Sequence, residues 1–153
     1  MRAHMSGLDS LVKLATHRQD NALVSWQQLR LQCQQALTKL AVLSQHRDRY
    51  QRMLRGGLEE GMSAVGAMAF LGFIRQIDEV VGRQRAEVGR IEAACARQWE
   101  LLVASRREKR LYEIVRERAA ARELAAALRH SKAEIDDLLQ RAAVVPVPTD
   151  GGK

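Results

Sequence analysis

Gly56-Gly57-Leu58-Glu59-Glu60-Gly61-Met62-Ser63 is the stretch that decides the fold. It separates two long runs in which apolar residues recur at alternating steps of three and four, the pattern of a coiled-coil seam. Upstream the seam reads Leu8, Leu11, Ala15, Ala22, Trp26, Leu29, Cys33, Ala36, Leu40, Leu43, Tyr50 and Leu54, with Arg18 and Arg47 at the skipped steps. Downstream it reads Phe70, Ile74, Ile77, Val81, Gln84, Val88, Ile91, Cys95, Trp99 and Leu102, lapses over 105–110, and resumes from Leu111 to Leu139. The glycine pair ends the first helix and Ser63 is placed to cap the second. The spacing therefore predicts an all-α fold: a long antiparallel two-helix coiled coil, an α-hairpin, over residues 8–142 with its hinge at 56–62. Residues 1–7 read as a disordered start or a cloning remnant. Residues 143–153, with Pro146, Pro148 and Gly151-Gly152, read as a disordered tail. In a symmetric hairpin, facing positions add up to about 118. Cys33 and Cys95 then lie roughly ten positions apart, too far for a disulfide.

Composition agrees with a seam rather than a sphere. Of 153 residues, 46% are hydrophobic and 28% charged but only 4% aromatic, and both prolines fall in the last eight positions, which disfavours sandwiches, barrels and doubly wound sheets. The net charge of +7 favours acidic partners, nucleic acid or an anionic surface without choosing among them. Asp9 and Lys13 interrupt the first apolar stretch, so no secretory pattern is expected and a reducing cytoplasm fits the two widely separated cysteines. The longest uncharged run, 61–74, is shorter than the roughly 18 residues that a membrane-crossing helix needs.

Catalytic chemistry is not indicated. Gly56 and Gly61 stand at the spacing of a phosphate-binding loop with Ser63 at the magnesium position, but Met62 replaces the essential lysine. Glu59 and Glu60 would repel phosphate, and the stretch follows a helix rather than a strand. His4, His17, His46 and His130 are scattered, with no metal-ligand spacing. No enzyme activity, cofactor or metal is expected. Arg47, Arg49, Arg52 and Arg55 cluster near the hinge, yet aromatics placed to stack bases are lacking, so a solvated face outweighs nucleic-acid binding.

One apolar surplus remains near the hinge. Phe73, Ile77, Val80 and Gln84 form a second stripe beside the seam, opposite Leu43, His46 and Tyr50. A two-stranded seam needs only the narrower stripe. The excess either forms an exposed patch rimmed by arginine or is covered by a local third helix at 63–70.

Leu8-Asp9-Ser10-Leu11-Val12-Lys13-Leu14-Ala15, Cys33-Gln34-Gln35-Ala36-Leu37, Tyr50, Phe73-Ile74-Arg75-Gln76-Ile77, Trp99, and the closing Lys132, Asp136 and Gln140-Arg141-Ala142-Ala143 carry a resemblance. In order, spacing and hinge, the chain resembles the FliJ family of bacterial flagellar export. The resemblance implies a non-enzymatic coiled coil similar to the central stalk of a rotary ATPase, inserted in the hexameric ring of the export ATPase FliI. It further implies contact with the membrane export gate component FlhA on the hinge side, escort of export chaperones, and a cytoplasmic place peripheral to the inner membrane. By residue-wise carry-over the gate-facing positions are Lys39, Leu43, His46, Tyr50, Phe73, Ile77, Val80 and Gln84. At His46 the family often carries an aromatic residue. The alternatives are a YscO-like stalk of a virulence secretion system and, less well supported, a basic coiled-coil module for nucleic acid.

Overall fold

The computed structural model describes residues 2–144, and all of them except 60–63 are helical. Helix α1 spans Arg2–Glu59 and helix α2 spans Ala64–Val144. They run antiparallel, which gives an all-α hairpin coiled coil. Residues 2–7, expected to be disordered, form the first turns of α1, and Ala143 and Val144 close α2. The remainder of the expected tail, 145–153, lies outside the described residues.

The break falls at 60–63, four residues after the expected start of the hinge, and its hydrogen bonds explain why. Gly61 has φ +91°, the left-handed conformation that only glycine adopts freely. The Met62 N–H donates to the Gly57 carbonyl at 2.7 Å and the Gly61 N–H to the Leu58 carbonyl at 3.3 Å. These two bonds make a Schellman motif, which satisfies the last carbonyls of α1. Gly56 and Gly57 stay helical because nothing in their surroundings forces a positive φ. Gly57 matters for another reason, since a Cβ there would overlap the Met62 methyl group, which folds back over it. On the other side of the turn Ser63 Oγ accepts from the Gly66 N–H at 3.2 Å, the expected N-cap.

The chain divides into two compact units. In the unit of residues 17–106, Ala36, Val88 and Ile91 form the core, with Cys33 and Leu40 packed against them. Ile74, Val81 and Leu102 are buried in the same unit, Leu102 completely. Gln84, a polar residue at a seam position, is buried there because its side-chain amide donates to the Ala36 carbonyl at 3.0 Å. Arg47 takes a seam step too, and its guanidinium stretches to Asp78 on α2 at 3.8 Å and Asp48 at 3.4 Å.

Contacts in this unit pair Ala36 with Gln84, Trp26 with Trp99, and Tyr50 with Phe73, so the register lies two to seven positions beyond the symmetric one. The shift follows from moving the turn to 60–63. Cys33 and Cys95 consequently line one groove instead of standing ten positions apart, and both are free thiols.

The unit formed by residues 2–16 and 107–144 buries Leu8, Val12 and Ala15. Val12 replaces the expected Leu11, which is 39% exposed. Asp9 and Arg116 pair across this unit at 3.5 Å. From 127 onward every described side chain of α2 is exposed, including Leu128, Ile135, Leu138 and Leu139.

Candidate partner-binding surface

The hinge-side surface is built by two stripes that helical periodicity assembles from distant sequence. Positions 39, 43, 46 and 50 lie along one face of α1, and 73, 77, 80 and 84 along one face of α2. The antiparallel register sets the stripes side by side, with Tyr50 and Phe73 in edge-to-face contact at a centroid distance of 4.6 Å and 70° between rings. Ring edges carry positive potential and faces negative, so this geometry is attractive beyond the area that it covers. A shallow depression of about 280 Å³ opens beside the pair, lined by Tyr50, Ala69, Phe70 and Phe73.

Exposure sorts the eight carried-over residues. Phe73 is 43% exposed and Val80 38%, while Leu43, Tyr50 and Ile77 are half-buried. Lys39 and His46 are exposed, and His46 lines a second depression with Gln45, Arg49 and Arg52. Lys39 also acts on Glu87, whose carboxyl is held below its ordinary range first by the hydrogen bond from Arg90 and in smaller part by Lys39. Gln84 stands apart from the others. It is turned into the seam, and its amide nitrogen donates to the Ala36 carbonyl, so little of its side chain is exposed.

Residues 63–70 do not fold back as a third helix. Ser63 caps α2 and 64–70 form its first turns, where Val65 and Met68 are 79% and 72% exposed. With Leu58 and Leu71 they extend the apolar surface to the turn. A helix end that is apolar around its whole circumference, as 64–74 is, ordinarily has a partner to bury against.

Residues 5–145 match the protein family described as flagellar FliJ protein. The chain belongs to the flagellar FliJ family. That membership makes it a component of the flagellar export apparatus. No curated protein and no solved structure matches it. Among the described residues no helix is long and apolar enough to cross a membrane. Nor do they contain a group of three or more His, Cys, Asp or Glu side chains able to hold a metal ion.

Sequence reasoning missed the Trp26–Trp99 pair, whose rings lie 4.9 Å apart. Two tryptophans at seam steps were visible, but their meeting depends on the register.

Proposed function

We propose that this chain is a non-catalytic stalk of the flagellar export apparatus, joining the FliI-type ATPase ring to an FlhA-type export gate and escorting export chaperones. The observation that supports the gate contact is the part-exposed aromatic pair Tyr50–Phe73, continued by Ile77 and Val80 along one side of the hairpin. Aromatic and aliphatic side chains held half-covered on rigid helices lose little entropy on binding and give up unfavourable contact with water. The gate-facing set is Lys39, Leu43, His46, Tyr50, Phe73, Ile77 and Val80, with Gln84 serving the seam instead. The exposed apolar side chains of α2 beyond 127 suit contact with the ATPase ring. Its place is the cytoplasmic side of the inner membrane, held there through partner proteins.

The family match favours the flagellar apparatus over a virulence-type stalk. Nucleic-acid binding is disfavoured because aromatics placed to stack bases are lacking and carboxylates neutralise some exposed arginines, as in Arg90–Glu87 at 2.6 Å, Arg110–Glu113 at 3.4 Å and Arg141–Asp137 at 3.2 Å.

Calorimetric titration of the full chain with the cytoplasmic domain of an FlhA-type gate protein tests the reading. Val80→Asp sets a charge on the patch at an exposed position and should abolish binding while circular dichroism stays unchanged. Unaltered affinity would refute the gate-facing assignment.

A further inference from the structure

In the part of the unit of residues 17–106 that lies away from the turn, the two helices leave an open groove of about 480 Å³ lined by Trp26, Cys33, Glu92, Cys95, Ala96 and Trp99, among others. The sequence creates it by size. Two indoles meet at one level of the seam, their planes tilted by 46°, while Cys33, Cys95 and Ala96 beside them carry side chains of one or two heavy atoms. Large beside small leaves a depression that the two strands cannot fill for themselves. Trp99 remains 41% exposed, although tryptophan is among the residues that most favour burial in an interface.

The rim has a definite charge. The Arg30 guanidinium lies over Trp26 at 4.9 Å from the ring centroid, and that of Arg106 lies 6.0 Å from Trp99. An indole face attracts a cation held near it, and a guanidinium so held keeps N–H donors for a carboxylate. Neither arginine is paired with a carboxylate among the described residues. One carboxylate, that of Glu92, lines the groove as well. Arg30 and Arg106 outnumber that carboxylate, so the largely apolar groove carries a small positive excess.

We propose that this groove, independently of the gate-facing surface, docks an acidic amphipathic helix of a partner protein. A large apolar side chain of that helix enters the depression over Cys33, Cys95 and Ala96, and carboxylates on either side of it reach Arg30 and Arg106. The contact is a helix laid in a groove, turning two strands locally into three. The arginines read charge, and bidentate geometry lets them distinguish carboxylates from other acceptors.

Trp26 and Trp99 are the chain's two tryptophans, so tryptophan emission, excited selectively over that of the two tyrosines, reports on this site alone. The probe is a synthetic helical peptide about three heptads long, with leucine at the a and d positions and glutamate beside them. Titrated into the full chain, it should give a saturable blue shift of the tryptophan emission. Arg30→Glu with Arg106→Glu should weaken binding tenfold or more, and so should Ala96→Leu, which fills the depression; both changes are at exposed positions and keep the helices. The same peptide with lysine for glutamate should give no shift.

Absence of a shift with the acidic peptide overturns the proposal, as does equal binding of the lysine peptide or undiminished binding by either variant. A blue shift that grows with the chain's own concentration, together with a dimer in sedimentation, would assign the groove to a second copy and overturn it equally.

Discussion

Truncating Phe73 to alanine separates a contact residue from a core residue by magnitude. Complete burial of a phenylalanine side chain is worth about 1.5–3 kcal/mol, and cutting a fully buried one to alanine costs about 3–5 because a closed cavity remains. Phe73 is 43% exposed, so a little more than half of that transfer term applies. The space left beside Tyr50 opens to solvent, and water occupies it, which removes the cavity term. With the edge-to-face contact at 4.6 Å included, the expected loss is about 1–2 kcal/mol. For a chain of this size that lowers the thermal midpoint by about 2–8 °C. Helix content at 25 °C should be unchanged. Binding to an FlhA-type gate domain should suffer more: loss of a central aromatic anchor costs about 2 kcal/mol or more, roughly thirtyfold in Kd. Differential scanning calorimetry and titration calorimetry on the same preparation give both numbers. A midpoint drop of more than about 15 °C would show that Phe73 is core. A folded variant that binds the gate with unaltered Kd would refute the assigned surface.

The turn supplies a paired test. Gly61→Ala forces a side chain into φ +91° and should cost about 1–2 kcal/mol, whereas Gly56→Ala, helical with open space around it, should stabilise by about 0.5–1 kcal/mol; thermal melts that reverse this order would place the chain reversal at Gly56 after all. Gln84→Leu keeps the volume at a buried seam position and exchanges one hydrogen bond for apolar packing, so stability should change by less than about 1.5 kcal/mol and gate binding by less than about twofold. A larger loss of gate affinity with stability retained would return Gln84 to the binding surface.

The three-four rhythm of Ile74, Val81, Gln84, Val88, Ile91 and Leu102 fixed which face of α2 turns inward, and all six are buried. Such legibility is expected when 3.6-residue periodicity alone selects the buried face. The hinge was legible only approximately. Three glycines competed for the helix end, and propensity treats them alike; only the backbone geometry shows that Gly61 has the positive φ and that Gly57 makes room for Met62. That difference of a few residues propagates into every cross-helix pairing. The stripes 39/43/46/50 and 73/77/80/84 could be drawn from sequence, but drawing them could not separate the exposed Phe73 and Val80 from the seam-bound Gln84.

Sequence by itself therefore determined the helices, their inward faces, the Ser63 cap and the family, because each follows from local propensity or from the order of residues along one chain. Tertiary structure decided the register, and with it the meeting of Trp26 with Trp99, the groove over Cys33 and Cys95, and the reach of Arg47 to Asp78. The physical reason is that heptad seams can pair in several registers of similar apolar burial, and the choice rests on turn geometry and side-chain size matched across two helices, which no single stretch of sequence contains.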